Sequence, residues 1–201
     1  MLFTLSGSHP WNSEYKTEDG RVTYKVDMPK KLCGKRATIS RCIGEILPKS
    51  QSQTDSVVSN GSSLDSVGDY AQNDPFDLEN KLAHMAVVEF NVRSPSRILH
   101  GGVEVETKSY LRRPGSGWKT RRQRIFTGPD EREYKWVMGP VEPTLFLNDE
   151  SATVVAKYHK KYNLPWKKQP ATLEIMPMGE GIMDTIVTTL VFIELVRLAE
   201  G

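Results

Sequence analysis

Along most of this chain apolar residues alternate with polar ones over short runs, and each run is bounded by Gly, Pro, Asn or Asp. Val22-Thr-Tyr24-Lys-Val26 alternates in this way, Pro29 to Gly34 breaks the pattern, and Ala37-Thr-Ile39-Ser-Arg41-Cys-Ile43 resumes it. The spacing predicts a β-hairpin, because alternation with a period of two places one side of each segment against a core. Further strands are predicted over Met85 to Val92, Gly102 to Leu111, Trp118 to Phe126, Glu133 to Met138, Thr144 to Asn148, Thr153 to Tyr158 and Thr172 to Met176. Many short strands at this spacing favour an antiparallel barrel or sandwich.

The last segment has a different rhythm. Asp184 opens an apolar run from Ile186 to Leu198 that is interrupted only by Thr188, Thr189, Glu194 and Arg197. Its apolar side chains cover every face of a 3.6-residue helix, so no single stripe could bury them all. The helix, predicted over 182–199, must therefore be surrounded. A bilayer span needs about 20 apolar residues, and this shorter run already carries a Glu and an Arg. A closed sheet leaves an interior that something must fill, and this helix is the segment suited to fill it. The prediction is a mainly β chain forming one domain over 1–201, an antiparallel β-barrel enclosing a hydrophobic C-terminal α-helix. Glu194 and Arg197, three residues apart on a buried helix, are expected to pair with each other or with the wall.

Residues 48–79 stand apart. This stretch is rich in Ser, Gln, Asn, Asp and Gly, its apolar residues are isolated, and it is predicted to be a disordered insertion. It holds one Lys against six acids, or −5, so the overall +2 leaves about +7 for the remainder. The N-terminus has no positive region followed by an apolar stretch of signal length. Cys33 and Cys42 are accordingly read as reduced thiols, and a cytoplasmic chain, peripheral at a membrane surface, is expected.

Several features occur together: Trp11, the hairpin above, Arg124-Ile-Phe126 leading into Asp130-Glu-Arg-Glu-Tyr134-Lys-Trp136, the strand Ala152-Thr-Val-Val-Ala-Lys157-Tyr158, and the helix from Asp184 to Arg197. In this order they resemble an uncharacterised fungal family of unknown function. That family is in turn similar to the tubby C-terminal, phospholipid-scramblase and LURP-one-related group, in which about twelve strands enclose a central hydrophobic helix. The resemblance implies a fold. Tubby-like members bind phosphoinositides through basic residues, and scramblase-like members are linked to membranes, Ca²⁺ and lipid movement. No palmitoylated cysteine cluster or acidic Ca²⁺ loop of scramblase type is visible here, which argues against lipid scrambling.

The strongest candidate chemistry is the stretch containing Lys108, Arg112, Arg113, Lys119, Arg121, Arg122 and Arg124, with no acid between them. Guanidinium forks suit phosphate oxygens, and a polybasic patch near an anionic membrane contributes about 1 kcal/mol per basic residue. With Pro114-Gly-Ser-Gly117 as a turn, Trp118 stands near a hairpin tip, where an aromatic can sit at a headgroup boundary. A second basic group, Lys157, His159, Lys160, Lys161, Lys167 and Lys168, brackets Tyr162 and Trp166, an arrangement that can also hold single-stranded nucleic acid. It lacks any recognised nucleic-acid motif, and nucleic acid is the lesser expectation. The acidic insertion is positioned in sequence to compete for the basic patch.

Other patterns point to structure. Glu131 and Glu133 alternate with bases beside a Gly-Pro-Asp turn, while Tyr134 and Trp136 are expected to share a packed face. Gly179-Glu-Gly181 lacks the third glycine and the following strand of a dinucleotide turn, and Asp184 is read as the helix N-cap. His9, His84, His100 and His159 form no metal motif, and no nucleophile elbow or P-loop occurs. The expectation is a non-enzymatic binding module without metal or cofactor, whose partner is an anionic membrane lipid. An acidic protein is the alternative partner.

Overall fold

A computed structural model describes residues 1–29, 34–43, 82–117, 120–164 and 167–200. The predicted insertion over 48–79 lies outside the described residues, as do Cys33, Trp118, Lys119 and Trp166. One meander runs through β1 (Leu2–Leu5), β2 (Ser13–Lys16), β3 (Val22–Asp27), β4 (Lys35–Cys42), β5 (Leu82–Phe90), β6 (Arg97–His100) and β7 (Val103–Glu106). After a single helical turn, α1 (Thr107–Tyr110), a second meander follows through β8 (Gln123–Thr127), β9 (Glu133–Met138), β10 (Pro143–Leu147) and β11 (Val154–His159). A small ribbon of β12 (Tyr162–Leu164) and β13 (Lys167–Gln169) leads into β14 (Thr172–Ile175), a 3-10 segment over Pro177–Ile182, and α2 (Met183–Glu200).

β14 joins the two meanders by pairing with β1 on one side and β11 on the other. The result is one antiparallel sheet of twelve strands, in the order β7-β6-β5-β4-β3-β2-β1-β14-β11-β10-β9-β8. The predicted hairpin is the β3–β4 pair, with Val26 opposite Ile39. Alternation is kept where a strand has one wet face. In β9, Tyr134, Trp136 and Met138 point inward and the residues between them outward, so Tyr134 and Trp136 do share the packed face.

α2 is buried without interruption from Thr185 to Val196. Strands far apart in the sheet order touch it. Phe90 of β5 meets Phe192 with ring centroids 6.0 Å apart, and Trp136 of β9 donates its indole N–H to the Thr189 hydroxyl at 3.0 Å. A flat sheet could cover only one side of such a helix, so the sheet curls around it. Closure is not completed by strand pairing, however, and here the expected closed barrel is corrected. β7 and β8 are both edges, and the covalent strap α1–Arg112 spans the seam between them. Leu111, buried at the seam, anchors the strap, and Arg112 exchanges backbone hydrogen bonds with Ile125 of β8 at 2.9 and 2.8 Å. The segment predicted as one strand over Gly102 to Leu111 therefore divides into β7 and α1.

The polar groups inside are internally satisfied. Thr188 and Thr189 donate to the carbonyls of Asp184 and Thr185, each at 2.8 Å, in the back-bonding habit of helical Thr. The Arg197 guanidinium holds both oxygens of the fully buried Glu194 carboxylate, at 2.5 and 2.8 Å, as the spacing predicted. Among the described residues, no buried side-chain nitrogen or oxygen lacks a partner.

Five phenols are affected by this interior. Burial is the largest cause in each case: it pushes Tyr15, Tyr24, Tyr110 and Tyr158 upward, and with a hydrogen bond to Asp130 it pushes Tyr134 up to about 12. A raised phenol pKa means the neutral form belongs to the folded state. The stability it represents is complete below the unfolded value of about 10 and is lost as pH rises beyond it. Most of the tyrosinate absorbance change is therefore expected to coincide with loss of the sheet's circular dichroism above about pH 11. A reversible titration of most phenols near pH 10 in a folded protein would contradict this burial.

Candidate functional site

The basic stretch is shaped by the strap that closes the seam. Past Arg112 the chain forms a loop over Arg113 to Gly117, then a turn in which Thr120 and Arg121 both donate backbone N–H bonds to Gly117 at 3.1 Å, and finally enters β8. The loop lies at the C-terminal end of α2, where helix carbonyls and the Glu200 carboxylate favour cations.

The seven basic residues singled out from the sequence have different roles. Arg124 is 5 % exposed and points inward. Its guanidinium donates to the carbonyls of Arg121 and Gln123 at 2.8 and 2.9 Å and to Glu200 at 3.1 Å, so it braces the loop instead of presenting a surface charge. Burial lowers its pKa, and Glu200 opposes that shift. Arg112 is paired with Glu133, whose carboxyl is held below the usual range by hydrogen bonds from Arg112 and then Asn148. Lys108 is exposed on α1, set apart from the loop by buried Leu111. Lys119 and Trp118 lie outside the described residues.

The structure gathers Arg113 and Arg121 around an open cleft of about 540 Å³, with Gly115 and Ser116 completing its lining. Arg113 reaches Glu200 at 2.6 Å yet stays half exposed, and Arg122 is exposed next to Arg121. Among the described residues, Arg121 and Arg122 enter no ion pair. The second basic group is less available: His159 faces Glu142 at 3.0 Å and Glu174 at 3.7 Å, and the Lys160 backbone N–H is bound by Glu142.

A different cavity lies at the other end of α2, and sequence reasoning missed it. Its mouth, about 550 Å³, is bordered by Arg41, His100, Tyr110, Gly128, Glu180 and Asp184. An adjoining recess of about 160 Å³ runs along the helix between Ile98, Val103, Val105 and Tyr110 on one side and Thr185, Thr188 and Thr189 on the other. Asp184 is no N-cap, because the 3-10 segment runs directly into α2 and leaves it as the second helical residue. Its carboxylate instead accepts from the Tyr24 hydroxyl at 2.6 Å and from Arg41 at 2.9 Å. One signal was available: Thr185, Thr188 and Thr189 have the i, i+3, i+4 spacing of a single helix face, a stripe of small polar side chains on a helix that is otherwise large and apolar.

Among the described residues, no group of three or more His, Cys, Asp or Glu side chains could hold a metal ion. No helix among them is long and apolar enough to cross a membrane.

No curated protein and no solved structure matches the chain. A family model described as a family of unknown function, DUF6593, matches residues 8–198. That span runs from ahead of β2 almost to the end of α2, and the chain accordingly belongs to the family of unknown function DUF6593.

Proposed function

We propose that this chain is a non-enzymatic binding module of tubby- and scramblase-like build, which attaches to anionic membrane lipid through the basic loop at the C-terminal end of α2. The observation that carries the reading is the cleft between Arg113 and Arg121, with Arg122 exposed beside it. Arginine forks around a cleft of this size suit a phosphate-bearing headgroup, which accepts paired N–H bonds. Curling of the sheet around a buried C-terminal helix supports the kinship with the tubby and scramblase group. The attachment is electrostatic, and it weakens with salt as charges are screened beyond about 10 Å at 0.1 M.

The test is co-sedimentation with phosphatidylcholine vesicles carrying graded phosphatidylserine or phosphoinositide, beside a variant with Arg113, Arg121 and Arg122 changed to Ala. Arg112 and Arg124 stay in place because they brace the fold. At about 1 kcal/mol per basic residue, the triple variant is expected to bind roughly a hundredfold more weakly. Binding that ignores lipid charge, or that survives in the variant, would refute the proposal. Failure of the folded protein to bind any vesicle would shift the reading to an acidic protein partner.

A further inference from the structure

We propose that the seam between the β6–β7 hairpin and α2 is a second binding site, which takes a small uncharged amphiphile. The ligand would carry one apolar group of about six carbons, a ring or short chain, and a hydroxyl or carbonyl head. The site lies at the opposite end of α2 from the basic loop and does not depend on the lipid reading.

The recess sets the apolar part. At about 160 Å³ it is comparable to dry cavities of about 150 Å³ that admit benzene. Away from His100, Tyr110 and Thr185 its walls make no polar demand on a guest. Ile98, Val103 and Val105 are aliphatic, and the hydroxyls of Thr188 and Thr189 are turned back to helix carbonyls. A purely apolar molecule would gain the burial but forgo the groups at the boundary.

His100 and Tyr110 provide that boundary, because both line the recess and the mouth. Among the described residues, neither the Tyr110 hydroxyl nor the His100 ring makes an intramolecular hydrogen bond, so both are available to a ligand's polar head. The charged groups of the mouth are already matched. Arg41 is paired with Asp184 at 2.9 Å, and the Met1 amino group with Glu180 at 3.5 Å. An anionic head would approach two carboxylates, and a cationic one would approach Arg41 and the amino terminus. A neutral head disturbs neither pair, which selects it.

Entry follows from the open edge. Among the described residues, β7 is hydrogen-bonded on one side only, by β6, and Val103 is 63 % exposed. The hairpin turns through Gly101 and Gly102, both at positive φ, with nothing packed where their side chains would be. The hairpin can swing outward without breaking a ladder to β8.

The test uses the full chain and observes its Val, Ile and Thr methyl signals by NMR during titration with benzyl alcohol, 1-hexanol, 1-propanol, hexanoate and hexylammonium. Benzyl alcohol and 1-hexanol are expected to shift Ile98, Val105 and Thr188 saturably. The shorter alcohol and both charged analogues should bind at least about tenfold more weakly. Two variants fill the recess from opposite walls, Val105→Trp and Thr188→Leu, and each that folds should lose at least about tenfold in hexanol affinity. Shifts that do not saturate or that map elsewhere would overturn the proposal. So would equal binding of a charged analogue, or unchanged binding in a folded filled variant.

Discussion

Truncation after Ile182 is expected to leave no folded sheet. The deletion removes Ile186, Val187, Leu190, Val191, Phe192, Ile193, Leu195 and Val196, all buried. At about 1.5–3 kcal/mol for each buried side chain, these eight represent on the order of 12–24 kcal/mol. Typical net stabilities are only about 5–15 kcal/mol, so loss of α2 exceeds what the remaining strands could offset. The inward faces of Tyr24, Phe90 and Trp136 would also lose their partners. Circular dichroism and gel filtration of the truncated chain should show an unfolded or aggregated product. A soluble, monomeric β-protein from the truncation would mean that the helix is an appendage and that the sheet has another core.

Arg197→Ala is expected to be the most damaging single substitution outside the apolar core. Glu194 is fully buried, and Arg197, itself only 15 % exposed, contacts both carboxylate oxygens. The Arg197 pKa is raised, chiefly by this hydrogen bonding. Removing the guanidinium leaves a buried carboxylate without its counter-charge, which costs about 3–5 kcal/mol. For a domain of this size that corresponds to a fall in Tm of about 6–20 °C. The double variant Glu194→Leu with Arg197→Met removes both charges and should recover most of the loss, since apolar replacement of a buried pair is often neutral. Urea denaturation of the wild type, Glu194→Leu, Arg197→Met and the double variant measures the coupling, with Arg197→Ala read beside them. A loss below about 1 kcal/mol in Arg197→Ala would show that water reaches Glu194 and that the helix end is not enclosed.

Local rhythm revealed much of the sheet. Val22 to Val26 and Glu133 to Met138 alternate because each has one wet and one dry face, and both are strands. β1 and β2 were missed because each is four residues long, and β6 because Ile98 and Leu99 are adjacent apolar residues that show no alternation. The division at Thr107 was hidden too. Its N–H and hydroxyl both donate to the Ser96 carbonyl, one position beyond the β6–β7 ladder at the open end of that hairpin, an interaction that no local period reports. α2 was legible, with its bounds and the Glu194–Arg197 pair, since these depend only on neighbours along one helix.

The candidate site was legible as charge but not as geometry. Seven cations in one stretch can be counted from sequence, yet Glu133 and Glu200, which engage three of them, lie outside that stretch. Burial of Arg124 follows from those partners. The seam cavity was less visible still, because Arg41, His100, Tyr110 and Asp184 come from four separate elements. Asp184 looked like a cap when read against its neighbours, while its actual partner Tyr24 stands 160 residues earlier.

The proposed contact with an anionic surface is the C-terminal end of α2, with its arginine-lined cleft. The most direct measurement is hydrogen exchange of the full chain, free and bound to phosphoinositide-containing vesicles, read peptide by peptide. Protection is expected in the loop from Arg113 to Arg122 and in the last turn of α2 near Glu200, with exchange around Arg41, His100 and Glu180 unchanged. Protection centred on the seam mouth, or none in the Arg113–Arg122 loop while the protein is vesicle-bound, would contradict the assignment.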